Sequence, residues 1–196
     1  MSTTPFDDLD DYLALPRVTG LAASADGRRV VVSLAELSPK KTEFRTALWE
    51  LDPAGREPAR RLTRGAKGES APVFTADGDL LFLAARPDDD DATPPSALWR
   101  LPAAGGEAER ILELPGGVSA VRTARAAHRT VVAAAMMPSA TDLDHERRLR
   151  DLRKDTEVTA ILHSGYPVRH WDVDLGPQEP HPVSYTHLTL PTIYSV

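Results

Sequence analysis

The chain has 196 residues and a formal net charge of −6 at pH 7, with 41% hydrophobic and 27% charged residues. These values are ordinary for a soluble globular protein, so we expect one domain or part of one. The acidic balance, with no basic cluster, argues against nucleic acid as a partner. Because cysteine is absent, disulfides, thiol catalysis and Cys-ligated zinc are excluded.

The N-terminal sequence, MSTTPFDDLDDYLALPRV, is acidic and has neither the basic start nor the apolar core of a signal peptide. No apolar run in the sequence approaches the roughly 18 residues that span a bilayer. We therefore expect a cytoplasmic protein without membrane contact. Residues 1–20 are predicted to form a short helix and a lead-in to the first strand.

The main organising feature is an internal repeat of about 50 residues. The triplet Ala-Leu-Trp occurs at 47–49 and again at 97–99, and Ala-Asp-Gly occurs at 25–27 and at 76–78. In both units a short apolar strand ends at the Asp-Gly pair, which supplies the positive φ angles of a tight hairpin turn. An aliphatic strand, a polar loop, a strand with Leu-Trp, a glycine-containing turn and a fourth strand follow.

Four short antiparallel strands per repeat of about 40–50 residues are typical of a β-propeller blade. We predict an all-β fold: an incomplete β-propeller over 21–182, with about two and a half to three blades at 21–64, 72–114 and 117–182. A β-sandwich also alternates strands and turns. It gives no reason for tryptophan to return at a constant distance, whereas each blade of a propeller reuses the same packing position.

The third unit departs from this pattern. Its second strand is TVVAAAMM, but the next tryptophan, Trp171, follows Trp99 by 72 residues instead of 50. Assigning Trp171 to the third strand leaves an insertion of about 22 residues within 139–162.

The insertion 139–162 has the pattern of a helix. Thr141 or Ser139 can cap its N-terminus, with Asp142 and Asp144 in the first turn where the helix dipole favours them. Acidic residues twice precede basic ones by four positions, which supports a helix. The helix either decorates the propeller in solvent or projects toward a partner domain or a substrate entrance. The two charge pairs are Asp144 with Arg148 and Glu146 with Arg150.

No catalytic constellation is visible in the sequence. The motifs Gly-x-Ser-x-Gly, HExxH and Gly-x-Gly-x-x-Gly are absent, and the acidic run at 88–91 is interpreted as a solvated loop rather than a metal site. His163 and His170 could meet in space, but a lone histidine near a tryptophan is more often a packed residue. We predict no catalytic, cofactor-binding or metal-binding residues. The histidines are His128, His145, His163, His170, His181 and His187.

Three stretches resemble the serine peptidases of the prolyl oligopeptidase (S9) family. The resemblance is to the acylaminoacyl-peptidase and dipeptidyl-peptidase-like branch of the family, as encoded by a high-GC actinobacterium. The three stretches are the acidic start leading to PRVTGLAASADGRRVVV, the junction LTRGAKGESAPVFTADGDLLF and the late YPVRHWDVDLG. The resemblance covers roughly residues 5–181. It implies a propeller that covers the active site of a C-terminal α/β-hydrolase domain and admits peptide substrates.

None of the family's Ser, Asp and His positions exists in this chain, and the predicted helix lacks the adjacent Glu pair of the dipeptidyl branch. The resemblance therefore implies an inactive propeller fragment whose partners are its own hydrolase domain and peptides. The alternative is a non-enzymatic propeller scaffold of the TolB-like or WD40-like kind. Because open blade faces and sheet edges remain exposed, we expect the isolated chain to be aggregation-prone or partly molten.

The last 14 residues, 183–196, differ in composition from the rest. Up to Pro182 the chain has no Asn and far more Arg than Lys, as expected from a GC-rich genome, whereas VSYTHLTLPTIYSV is rich in Thr, Tyr and Ser. VSYTHLTLPT is the translation of a sequencing-library transposase adapter, GTC TCT TAT ACA CAT CTG ACG CTG CCG ACG. We interpret 183–196 as a non-native, adapter-derived tail. The alternative is that 184–190 is a strand of the third blade.

Overall fold

The computed structural model describes Thr4 and residues 6–65, 67–87, 94–125, 127–163, 168–186 and 189–193. Over these residues the strands form three four-stranded antiparallel sheets that follow one another along the chain, with a two-stranded hairpin and two helices. This is a partial propeller. The predicted all-β fold, with a short N-terminal helix and a helical insertion in the third blade, is confirmed.

The elements are as follows, in chain order. Helix α1 (Leu9–Ala14) precedes blade one, which consists of β1 (Arg17–Ala23), β2 (Val30–Leu37), β3 (Phe44–Leu51) and β4 (Arg60–Arg61). Blade two consists of β5 (Glu69–Phe74), β6 (Leu80–Ala84), β7 (Ala97–Leu101) and β8 (Glu109–Leu112). Blade three starts with β9 (Val118–Thr123) and β10 (Thr130–Met136). Helix α2 (Leu143–Asp155) and the hairpin of β11 (Arg169–His170) and β12 (Val173–Asp174) intervene before β13 (Glu179–Thr186) and β14 (Thr189–Ile193) complete the blade.

The Asp-Gly turns form the predicted hairpins between the first and second strands of blades one and two. Gly27 and Gly78 have φ angles of 69° and 87°, which favour glycine, whereas Asp26 and Asp77 do not have the positive φ angles predicted for the pair. In blade one the Ser24 hydroxyl donates to the Asp26 carboxylate at 2.6 Å, and the Gly27 N–H donates to the Ser24 carbonyl at 2.9 Å. The turn is therefore closed by the short polar residues that precede the glycine.

The tryptophan repeat marks one equivalent position in each of the first two blades. Trp49 of β3 and Trp99 of β7 lie opposite corresponding residues of β2 and β6. In blade three the corresponding pair is Val132 of β10 with Val183 of β13. Val183, which is fully buried, therefore takes the tryptophan position of the third blade.

The prediction that Trp171 lies in the third strand of blade three is wrong. Trp171 lies at the turn between β11 and β12, with 87% of its surface exposed. The insertion therefore runs from the end of β10 to the start of β13, beyond the predicted 139–162. Trp171 and Val173 alternate as in a strand, whereas the actual third strand, EPHPVSYT, contains two prolines, which disfavour an interior strand.

The described part of the tail is paired with blade three. Residues 183–186 belong to β13, and residues 189–193 form β14, which pairs with β13. This pairing agrees with the alternative interpretation of the segment as a strand. Tyr, Thr and Ile favour strands whatever the origin of the sequence, so the adapter interpretation stays a prediction.

The hydrophobic core consists of two clusters between neighbouring blades. Residues of β6 alternate between them, so the second strand of blade two buries both of its faces. The cluster between blades one and two contains Val31, Leu48, Phe74, Leu80, Phe82 and Ala84. The cluster between blades two and three contains Leu81, Leu83, Leu98, Leu112, Leu114, Val118, Val121, Val132, Ala134, Met136 and Val183.

Helix α1 has six residues, none of them buried, and Asp8 caps its N-terminus, whereas Leu143 of α2 packs against the core between blades two and three. Among the described residues, neither α1 nor α2 is long and apolar enough to span a membrane.

Replacing Leu98 by alanine tests the core between blades two and three. Because Leu98 is fully buried, we expect Leu98→Ala to lower the free energy of unfolding by about 2–5 kcal/mol in urea denaturation. The matched control is Leu162→Ala, since Leu162 is 96% exposed, and it should change that free energy by less than about 0.5 kcal/mol. Equal effects of the two substitutions would contradict the assignment of Leu98 to the core.

Candidate functional site

A buried carboxylate joins blades one and two. Glu69, the first residue of β5, is fully buried and accepts hydrogen bonds from the Thr63 hydroxyl at 3.0 Å and the Gly65 N–H at 2.7 Å. The Thr63 hydroxyl oxygen in turn accepts a hydrogen bond from the Leu48 N–H of β3 at 3.0 Å. The Arg86 guanidinium lies 3.3 Å from the same carboxylate. The network therefore ties the end of one blade to the start of the next.

The role of Glu69 is structural. The carboxylate is fully buried and accepts hydrogen bonds from Thr63, Gly65 and Arg86, so its contacts are with the two blades themselves. Arg86 also lies over the rings of Trp99, at 4.4 Å, and Phe82, at 5.6 Å, and so links the carboxylate to the apolar cluster. Sequence reasoning missed this residue because charged side chains are seldom fully buried unless paired.

A second buried carboxylate attaches the insertion to blade three. Glu146 of α2 is fully buried and accepts hydrogen bonds from the Met137 N–H at 2.8 Å and from Arg150 at 2.6 Å. Arg150 also donates to the Ala135 carbonyl of β10 at 2.8 Å. The predicted pair of Glu146 with Arg150 is confirmed, but it lies between the helix and the blade rather than on a solvated face.

A glycine makes this attachment possible. Gly116 lies in the connection between β8 and β9, and a side chain there would collide with the Ala135 carbonyl and the Arg150 guanidinium. Three segments of the chain therefore converge at one point: the connection between blades two and three, the end of β10 and the middle of α2.

The start of α2 differs from the prediction. Asp142, rather than Thr141 or Ser139, is the cap residue, because the helix begins at Leu143. The Asp142 carboxylate accepts a hydrogen bond from the His145 N–H at 2.7 Å, and this bond lowers the pKa of Asp142.

The predicted pair of Asp144 with Arg148 in α2 is wrong. Asp144 pairs at 2.7 Å with Arg147, three residues on, instead of with Arg148. Both spacings bring side chains to one helix face, so the sequence alone does not choose between them.

A groove of about 480 Å³ separates α2 from the connection between blades two and three. Charges of both signs line it, and Glu113 at its edge pairs with Arg110 at 2.6 Å. The groove is suited to a polar partner rather than to an apolar ligand. Its lining residues are Glu113, Leu114, Pro115, Arg147, Arg150, Asp151 and Lys154.

Several apolar side chains of the insertion are also exposed. Trp171 has a φ angle of 58°, in the left-handed region that residues with side chains seldom adopt. Such a conformation is more common at functional sites than elsewhere. The other large apolar residues of the insertion that are exposed are Leu152 at 60%, Val158 at 45%, Leu162 at 96%, Val168 at 41%, Val173 at 61% and Leu175 at 37%.

The insertion occupies one rim of the propeller. It connects the second and third strands of blade three, and second strands run in the same direction in every blade, so the equivalent connections of blades one and two lie on the same side. We take this rim, with the groove and the exposed side chains of the insertion, as the candidate functional site.

The histidines form no cluster among the described residues. His128 lies 2.9 Å from the Asp77 carboxylate and links the hairpin turns of blades three and two. In the described part of the chain no hydrogen bond joins His163 to His170, and both are exposed. No group of three or more potential metal ligands occurs there either. His187 and the acidic run at 88–91 lie outside the described residues.

Comparison with known proteins identifies similar folds but no family. No protein-family model matches the chain, and no curated protein matches it significantly. The acylaminoacyl peptidase of Pyrococcus horikoshii is similar in structure, with a TM-score of 0.58 and 8% identity over 91% of this chain and 26% of the peptidase. The isopeptidase AtxE2 gives a TM-score of 0.58 and 14% identity over 98% of this chain and 32% of the isopeptidase.

A putative TolB from Agrobacterium tumefaciens has 17% identity and a TM-score of 0.45 over 64% of this chain and 42% of the TolB chain. The chain thus spans about a quarter to a third of the two peptidases. At such low identities the likeness shows the fold alone, which in these enzymes occurs within a longer chain.

The buried Glu146 contact can be tested by limited proteolysis, because α2 contains several arginines that trypsin can cleave once the helix opens. Glu146→Ala leaves the Met137 N–H without an acceptor and Arg150 with only the Ala135 carbonyl, at a cost of about 2 kcal/mol or more. We expect tryptic cleavage within α2 to become roughly 30-fold faster.

The matched control is Asp144→Ala, which removes an exposed ion pair of the same helix. Its effect on the cleavage rate should stay below about fivefold, since exposed pairs contribute less than about 1 kcal/mol. Similar rates for the two variants would show that Glu146 does not hold the helix on the blade.

Proposed function

We propose that this chain is the propeller portion of a serine peptidase of the prolyl oligopeptidase family, which cleaves oligopeptides or acyl-peptides. The main observation for the proposal is the structural similarity to an acylaminoacyl peptidase, in which 91% of this chain matches 26% of the peptidase. The sequence stretches that resemble this family, from the acidic start to YPVRHWDVDLG, support the same assignment.

In this proposal the catalytic Ser, Asp and His belong to an α/β-hydrolase domain of the intact protein. The propeller restricts access to that domain, so only short or unfolded peptides reach the nucleophile. The 196-residue chain is itself inactive, and the intact enzyme is cytoplasmic. The tail 183–196 replaces the native sequence that completes the last two strands of blade three and leads into further blades.

The rim with the insertion is the part of the propeller that we expect to face the hydrolase domain. The groove carries charges of both signs, and the exposed side chains of the insertion include several apolar ones. A surface of this mixed kind suits contact with another domain of the same chain, because interdomain interfaces are more polar than domain cores.

Two experiments on the gene and its product test the proposal. Uninterrupted sequencing of the genomic locus should show a reading frame that departs from VSYTHLTLPT after codon 182 and continues into a domain with Gly-x-Ser-x-Gly. The protein from that locus should hydrolyse acylaminoacyl or dipeptidyl chromogenic substrates and react with a fluorophosphonate probe. The 196-residue chain should do neither.

A native frame that ends in the sequence 183–196 would contradict the proposal. Labelling of the 196-residue chain by the probe would contradict its assignment as an inactive portion. A native frame that continues as propeller without any hydrolase domain would favour the non-enzymatic scaffold instead.

A further inference from the structure

Blades one and three each have one sheet face that no neighbouring blade covers. The outer face of blade one consists of Val18, Leu21, Val30, Val32, Leu34 and Trp49, which share one side of the sheet by their register. The outer face of blade three consists of Ala120, Arg122, Val131, Ala133, Pro180 and Pro182. Among the residues whose side chains are described, the charged members are Arg61 opposite Trp49 and the pair Glu36 and Arg45 on blade one, and Arg122 on blade three; the others are apolar. Val18, Leu21 and Val131 are exposed to 63%, 66% and 45%.

The repeat makes these two faces complementary. In the interface between blades one and two, Phe82 and Trp99 of blade two pack toward the side of blade one that carries Val31 and Leu48. Val32 and Trp49 are the equivalents of Phe82 and Trp99, and they lie on the outer face of blade one.

The outer face of blade three is equivalent to the side of blade one that packs against blade two. Val131 and Pro182 occupy the positions that Val31 and Leu48 occupy in blade one. Alanine and proline leave this face shallow, and a groove of about 280 Å³ with an almost wholly apolar lining crosses it. A shallow groove of this kind can accept the bulkier side chains of a blade-one face.

Trp49 and its equivalent in blade two, Trp99, differ in the hydrogen bonding of their indole N–H groups. The indole N–H of Trp99 donates to the Ala84 carbonyl at 3.1 Å, and Arg86 covers its ring. The indole N–H of Trp49 is buried without a hydrogen-bond partner in the described part of the chain. The outer face of blade one is therefore packed less completely than its equivalent in blade two.

We propose that the 196-residue chain associates head to tail with a second copy of itself, blade three of one copy packing on blade one of the other. Two copies contribute six blades, within the range of about four to eight at which propellers close. Closure of this heterologous contact covers both open faces of both copies. The inference rests on the repeat and the exposed faces, and it does not depend on the proposed peptidase function.

Face-specific variants analysed by sedimentation test the proposal. The unaltered chain should sediment at twice its mass of 21.3 kDa. Leu21→Glu on blade one and Val131→Glu on blade three should each sediment as monomers, because each chain retains only one of the two faces. Mixed in equal amounts they should restore a dimer, since one intact junction can form. Far-ultraviolet circular dichroism checks that both variants fold.

The control is Leu162→Glu, an apolar-to-charged change at an exposed position that belongs to neither face. It should remain as dimeric as the unaltered chain. A monomeric unaltered chain would overturn the proposal. So would variants that associate as strongly as the unaltered chain, or folded variants whose mixture stays monomeric.

Discussion

The structure depends on one constraint: a four-stranded sheet with apolar residues on both faces must pack both faces against other sheets. In β6 successive residues alternate between the cluster shared with blade one and the cluster shared with blade three. Blade two satisfies the constraint completely. Blades one and three satisfy it on one face only, and Val18, Leu21 and Val131 on their outer faces remain 63%, 66% and 45% exposed.

Two buried carboxylates fix the polar connections around this apolar stack. Glu69 joins blade one to blade two, and Glu146 joins the insertion to blade three; each accepts two hydrogen bonds or more. Burying a carboxylate costs several kcal/mol of free energy unless its oxygens accept hydrogen bonds. Each carboxylate therefore stabilises the arrangement of the chain that places its donors around it. Gly65 and Gly116 lie against these contacts at positions where a side chain would collide. The insertion is therefore held on the rim even though much of its surface is exposed.

Local signals made the first two blades predictable from the sequence. The Asp-Gly pairs require a turn, the aliphatic strands require burial, and the tryptophans recur at a fixed distance. The third strand of blade three was not predictable in this way, because β13 contains prolines whereas the exposed hairpin around Trp171 has the composition of a strand. The burial of Glu69 and Glu146 was not predictable either, since it depends on partners supplied by other segments of the chain.

A double-mutant cycle across the interface between blades one and two tests the packing of blade faces most directly. Val31→Ala and Phe82→Leu alter two members of one cluster, so the free energies of unfolding should deviate from additivity by about 0.5 kcal/mol or more. Val31→Ala combined with Val132→Ala, in the other cluster, should be additive within about 0.5 kcal/mol. Additivity in both cycles would contradict the packing of blade two on blade one.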